Sequence, residues 1–326
     1  MTEWHLFTGD GSPKTWTEPP TPPWRRFAGG PLVELDPDSA ADDRPGDLER
    51  AVAYRADPAE VDLVNAAVYL RRPILVSGKP GTGKSTLAYA VAHELGLGPV
   101  LRWPITSRTT LQDGLYAYDA IGRLHDANLA AHHQGPASGI GRYIQLGPLG
   151  TALLPYANPR VLLIDEIDKS DIDLPNDLLN VFEEGEFSIP ELARIADVEA
   201  DVDVRVPYLA SPARIHRGQV RCRAFPLVLM TSNGERDFPP AFLRRCVRLD
   251  LAEPDGTRLA SIVEAHLGAD GAAGADLIER FLAARSHGEL ATDQLLNAIF
   301  LTASTADLGG DRAALADLVL RHLSTR

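Results

Sequence analysis

One run of eight residues limits the fold of this chain more than any other feature. Gly78-Lys79-Pro80-Gly81-Thr82-Gly83-Lys84-Ser85 follows the apolar run Pro73-Ile74-Leu75-Val76 and precedes the helix-forming stretch Thr86-Leu87-Ala88-Tyr89-Ala90-Val91-Ala92. The order strand, Gly-rich loop with Lys-Ser, helix is the phosphate-loop pattern in its expected context. Its chemistry explains its composition. Glycines let successive backbone N–H groups turn inward around phosphate oxygens. The helix that follows adds the partial positive charge of its N-terminus. Lys84 can reach the outer phosphates, and the Ser85 hydroxyl can meet Mg2+. Thr86 continues the loop into the helix, so residues 78–86 are the candidate nucleotide-binding set. A nucleoside triphosphate ligand and an open α/β sheet are expected.

The bulk properties narrow the class. The net charge of −13 argues against a broad nucleic-acid surface. Cys222 and Cys246 are too few for a disulfide framework, which points to a reducing, cytoplasmic setting. The N-terminus lacks a secretory pattern, and no window approaches the 18 or more apolar residues of a membrane span.

Residues 1–56 read as a Pro-rich extension in which Trp4, Phe7, Trp16, Trp24 and Phe27 are interspersed. Proline density disfavours long helices. The aromatic residues are unusual for a disordered tail and favour an arm packed on its own core or on a neighbour. Residues 57–252 alternate helix and strand, with apolar runs at Pro73–Val76, Val161–Ile164 and Pro226–Met230 that suit strands buried on both faces. Helices are expected over 58–70, 86–95 and 174–184. Insertions are expected at 108–159, with a helix near 124–131 and a short strand at 142–146, and at 187–224, with strand pieces at 202–206 and 219–223. Residues 253–326 read as helical throughout, a C-terminal lid. The expected architecture is a three-layer parallel α/β sheet of the phosphate-loop type with a helical lid.

Three further clusters fall at strand ends, where open α/β sheets bind ligands. Val161-Leu162-Leu163-Ile164 ends in Asp165-Glu166. Asp165 can hold a metal ion beside Ser85, and Glu166 is the candidate base for an attacking water. Met230-Thr231-Ser232-Asn233 ends another apolar run; Asn233 is the preferred water-positioning residue, because an amide both donates and accepts. Phe238-Pro239-Pro240-Ala241-Phe242-Leu243-Arg244-Arg245-Cys246 reads as a short Pro-initiated helix ending in two arginines. Arg244 or Arg245 could reach the γ-phosphate of an adjacent subunit.

In this order the motifs resemble the AAA+ ATPases: phosphate loop, paired acids, polar sensor and arginine finger. The two insertions resemble the clade with a helix-2 insert and a pre-sensor-1 hairpin. Asp165-Glu166-Ile167-Asp168-Lys169, Phe182-Glu183-Glu184-Gly185 and Thr231-Ser232-Asn233 are similar to the MoxR family. The resemblance implies ATP and Mg2+, a ring, commonly a hexamer, with active sites between subunits. It also implies a chaperone-like action on a protein client, often one with a von Willebrand factor A domain. Arg245 aligns with the finger position, although Cys246 stands where the family has an aromatic residue; Arg244 stays a candidate.

One departure is plain. The lid arginine of the family, sensor 2, has no counterpart in Leu290-Ala291-Thr292-Asp293-Gln294-Leu295-Leu296, where Asp293 or Gln294 takes its place. Asp293 is expected to cap a helix, and Arg285 is a conceivable substitute. The acidic cluster Asp168, Asp171, Asp173 and Asp177 reads mainly as surface and helix-N-terminal chemistry. Two other readings stay open: a nucleic-acid motor like the GTPase subunit of a modification-dependent restriction system, and a slow nucleotide switch in a signalling or defence complex.

Overall fold

The computed structural model describes residues 4–35, 46–133, 139–267, 275–285, 290 and 292–304, the side chains of 130–133 excepted. Five parallel strands form the central sheet: β1 (Ile74–Ser77), β2 (Leu101–Pro104), β3 (Val161–Asp165), β4 (Leu227–Ser232) and β5 (Val247–Asp250). Their spatial order is β5-β1-β4-β3-β2. The uninterrupted apolar runs divide by parity. Ile74, Val76, Val161, Leu163, Leu227 and Leu229 pack into one hydrophobic cluster. Leu75, Leu162, Ile164, Val228 and Met230 pack into the other, across the sheet. Successive strand side chains point to opposite faces, so a strand covered on both sides cannot alternate with polar residues.

The strand order puts β1 beside β4 and β4 beside β3. The phosphate loop after β1, the Asn233 turn after β4 and the acids ending β3 therefore meet at one sheet edge. The helix Lys84–Glu94 starts at Gly83, whose φ of 92° lies in the left-handed region that glycine adopts without strain. Expected helices at Pro58–Leu70 and Leu174–Glu184 are present with those bounds. Gly185 closes the latter with φ 64°, and a Cβ there would lie 2.5 Å from the Phe27 ring.

Both insertions are folded. The first contains the helix Ala120–His133 and a hairpin of Tyr116–Tyr118 with Ile144–Leu146. The second is a four-stranded antiparallel sheet of Glu186–Ser188, Gln219–Arg221, Ala213–His216 and Asp201–Val204. Arg205 joins them, accepting from Leu146 N–H and donating to the Ile144 carbonyl. The strands at Tyr116–Tyr118 and Ala213–His216 carry too short an apolar signal to be read from sequence. Asp201 and Asp203 are paired with His216 and Arg214 across the hairpin.

The N-terminal arm packs on its own core. Phe7 is fully buried, and the Asn65 side chain accepts from the N–H groups of Leu6 and Phe7 while donating to the Phe7 carbonyl. Fully buried Glu94 accepts from the backbone and hydroxyl of Thr8 and from Gly9 N–H. Trp16 Nε1 donates to the Leu95 carbonyl at 2.7 Å. A short helix, Asp47–Ala53, follows the last described prolines of the arm. Past β5, the helices Gly256–Leu267, Ala275–Arg285 and Thr292–Ser304 share a separate core built on Leu259, Val263, Phe281, Leu295 and Ile299. Prolines 37 and 45, and everything after residue 304, lie outside the described residues, as do the side chains of the His132-His133 pair.

Candidate functional site

A cleft of about 420 Å³ lies over the carboxyl ends of β1, β3 and β4. Pro80 to Thr86, Asp165, Glu166, Thr231 and Asn233 line it on the sheet side. Tyr54 and Arg55 close it from the N-terminal segment, and Arg258, Ile262, His266, Thr292 and Asp293 face it from the lid helices.

A continuous hydrogen-bond chain runs through the floor. Ser85 Oγ donates to Asp165 Oδ1 at 2.7 Å. Thr231 Oγ1 donates to the same oxygen at 2.7 Å and accepts the Glu166 backbone N–H at 2.8 Å. The phosphate loop, the acid pair and the end of β4 are thus fixed to one another by two hydroxyls. Lys84 Nζ donates to the Gly78 and Lys79 carbonyls at 2.7 and 2.8 Å, so its charge is held inside the curl of the loop. Burial pushes the Lys84 ammonium below its ordinary pKa, and Asp168, Asp165 and Glu166 oppose that shift. Lys79 instead reaches out to Glu253 at 3.2 Å.

Glu166 has φ 61° and ψ 50°, a left-handed conformation that is uncommon outside glycine. Its carboxylate accepts from Lys169 Nζ at 2.7 Å. Backbone strain of this kind concentrates at functional positions.

The acidic cluster after β3 needs a correction. Asp171, Asp173 and Asp177 are exposed, but Asp168 is only 3% exposed. Its Oδ2 accepts the N–H groups of Asn233 (2.8 Å) and Glu235 (3.1 Å). Asp168 therefore ties the turn after β4 to the segment after β3. A buried carboxylate must have such partners, and no local pattern announced them.

Arg244 and Arg245 stand apart from the cleft, in the exposed C-terminal turn of the helix Pro240–Leu243. Arg245 Nε donates to Glu183 Oε1 at 2.6 Å and Nη1 to the Ala241 carbonyl at 3.1 Å. The Arg244 carbonyl accepts from Arg72 Nη1 at 2.8 Å. The chain's own fold thus brings together the phosphate loop, Asp165, Glu166 and Asn233, and leaves both arginines on a different surface.

On the lid, Arg285 donates to the Pro254 carbonyl at 2.8 Å and lies over the Phe281 ring; it does not line the cleft. Arg258, also in the C-terminal helices, does line it, and pairs with Asp57 and, at 2.8 Å, with buried Glu60. Tyr54 donates its hydroxyl to Glu60 at 2.7 Å, and its ring lies 3.4 Å from where a Cβ on Gly83 would stand. Thr231, Asp168, Tyr54, Glu60 and Arg258 were not singled out as site residues from the sequence. Only Thr231 carried a local signal, as a polar residue at the end of a buried strand.

The donor set suits a triphosphate with a hard divalent cation. The loop supplies backbone N–H groups and a buried ammonium. Ser85 and Asp165 supply two adjacent oxygen ligands, and Mg2+ commonly takes one or two from protein and the rest from phosphate and water. Among the described residues no group of three His, Cys, Asp or Glu forms a separate metal site. Also among the described residues, no helix is long and apolar enough to cross a membrane.

Sheet order, loop and acid pair define a phosphate-loop nucleotide-binding protein of the AAA fold. The family model described as the AAA domain (dynein-related subfamily) matches residues 73–246, more than half of the chain, and the chain belongs to that family. A solved structure from Cytophaga hutchinsonii, described as a "putative ATPase", is 15% identical with a TM-score of 0.33. The match covers 59% of this chain and 45% of that one, so this chain spans less than half of that protein's length, and a likeness at that level carries nothing further. No curated protein matches.

Proposed function

We propose that this protein is a Mg2+-dependent ATP hydrolase of the MoxR type, assembling as a ring and acting on a protein client. The observation that carries the hydrolase reading is the chain Ser85–Asp165–Thr231–Glu166, which locks the phosphate loop to a strained acid at the mouth of the same cleft.

In this reading the loop N–H groups and Lys84 hold the β- and γ-phosphates. Ser85 and Asp165 would hold Mg2+, and its charge would offset the charge that develops on the phosphoryl group. Glu166 takes the proton of the attacking water, and Asn233 orients that water. Asp168 keeps Asn233 in register with Glu166 through the backbone of the same turn. A neighbour's Arg245 or Arg244 completes the charge clamp, which accounts for the distance of both arginines from their own cleft. The ring, the hexameric count and a client with a von Willebrand factor A domain rest on the motif resemblance. The folded insertions, with exposed Ile121 and Leu124 on the first, offer surfaces for such a client.

The test is the Glu166→Gln variant. It should bind ATP as the parent chain does and lose turnover by about 100-fold or more, the range removed with a general base. Retained turnover would end the assignment. GTP, run in parallel, decides the base preference. Size-exclusion chromatography with light scattering, with and without nucleotide, reads the assembly.

A further inference from the structure

Glu183 joins two parts of the molecule that the sequence keeps far apart. It is the penultimate residue of the helix Leu174–Glu184. Its Oε1 accepts from Arg245 Nε at 2.6 Å. Its Oε2 lies 3.5 Å from Arg25 Nη1, in the N-terminal arm. Arg25 is 8% exposed, which is rare for an arginine without partners. Its Nη1 also donates to the Glu183 carbonyl at 3.3 Å and its Nη2 to the Arg71 carbonyl at 2.7 Å. Arg71 is the C-cap of the helix Pro58–Leu70. One guanidinium thus sits on the carbonyl ends of two helices, where the dipoles favour a cation. Its plane lies over Phe225 (4.6 Å) and Phe27 (5.2 Å).

The finger helix is fastened to the same place. Phe242 is fully buried, and Arg72 Nη1 holds the Arg244 carbonyl. For Arg245, Nε is taken by Glu183 and Nη1 by the Ala241 carbonyl. Among the described residues no hydrogen bond is formed by its Nη2. Arg244 is likewise exposed, and among the described residues no carboxylate pairs with it. A guanidinium held by its inner edge presents its outer edge already oriented, and a preorganised charge costs nothing to reorganise during reaction.

We infer that Glu183 is a positioning residue that aims Arg245 at the γ-phosphate of a neighbouring subunit, and that Arg25 of the N-terminal arm braces Glu183 for this task. The inference rests on the reading of the site as shared between subunits. It selects Arg245 over Arg244, and it gives the arm a part in turnover.

The experiment measures ATP turnover by full-length Glu183→Gln, Arg25→Met, Arg245→Ala and Arg244→Ala chains. Glu183 is 44% exposed, so E183Q keeps the fold even where R25M does not. Arg245→Ala should cost about a thousandfold in kcat, the lower end of the range for a lost finger. E183Q should lower kcat about tenfold with KM unchanged, as a misplaced rather than missing group does. Mixed with an excess of Glu166→Gln chains, which donate an intact finger but do not hydrolyse, E183Q sites should recover the turnover of parent sites diluted in the same way. If Arg245→Ala turns over normally, the shared-site reading falls and this proposal with it. If Arg245→Ala is impaired while E183Q is not, only the proposal is overturned. Faster turnover in E183Q, or a defect that the mixture does not relieve, overturns it as well.

Discussion

Thr231 Oγ1 and Asp165 Oδ1 lie 2.7 Å apart, and the hydroxyl that donates there also receives the Glu166 N–H. Thr231 is 1% exposed, so its hydroxyl cannot turn to water instead. Replacing Thr231 with the isosteric Val leaves a backbone N–H and a carboxylate oxygen each short of a partner. Such a loss costs about 1–3 kcal/mol. T231V should unfold at lower urea concentration by that margin and lose turnover, whereas T231S should keep both. Equal stability of T231V and parent would show that the hydroxyl is idle.

Glu166 separates chemistry from backbone strain. Its φ of 61° disfavours any side chain. E166Q keeps that strain and should melt with the parent chain. E166G relieves it and should be more stable by about 1 kcal/mol, while being equally inactive. Thermal melts of the two variants without nucleotide read the difference directly.

Glu60 is buried at 3% exposure, with Arg258 and the Tyr54 hydroxyl as its partners. Removing Arg258 strands that charge, at a cost of about 3 kcal/mol for a buried pair broken on one side. R258M should be strongly destabilised, and E60Q/R258M should recover much of the loss. Because Arg258 lies in the helix Gly256–Leu267 and Glu60 in the helix Pro58–Leu70, R258M should also loosen the packing of the first on the second. Faster hydrogen exchange over residues 256–267 would report that.

Asp293 faces the cleft from the start of the helix Thr292–Ser304. Like charge near bound phosphates opposes binding. D293N should tighten ATP binding about fivefold, and D293R more, with the gain shrinking as salt rises. An affinity independent of the charge at 293 would place this residue away from the phosphates.

The two cysteines give a check on packing. Burial pushes both thiols up to about 12. The thiolate is the reactive form, so at pH 8 neither Cys222 nor Cys246 should alkylate in the folded protein. Both should react once it is unfolded in guanidinium. Rapid labelling of Cys246 in the native state would contradict its packing on the Phe242 carbonyl.

The three central strands β1, β3 and β4 were legible because they are buried on both faces and their runs are therefore apolar almost throughout. The phosphate loop was legible because its glycines and Lys-Ser pair act locally. The residues that the sequence concealed act across long separations. Asp168 looked like one of four surface acids, and its burial depends on two N–H groups more than sixty residues away. Tyr54 and Glu60 belong to segments that carry no motif, and Arg258 becomes meaningful only when the lid folds back onto them. The hairpin strand Ala213–His216 alternates small, charged and apolar residues. Its partners, not its composition, make it a strand.

Glu94 lies at 0% exposure, and its carboxylate is satisfied by Thr8 and Gly9. A chain trimmed to the motif-bearing region would lose the donors and keep the acid, leaving an unpaired anion at the last residue of the helix Lys84–Glu94 and an open socket where Phe7 sits. The gene segment that looks dispensable is a wall of the room. A nucleotide-binding unit cut from this chain must carry residues 6–16 along with it.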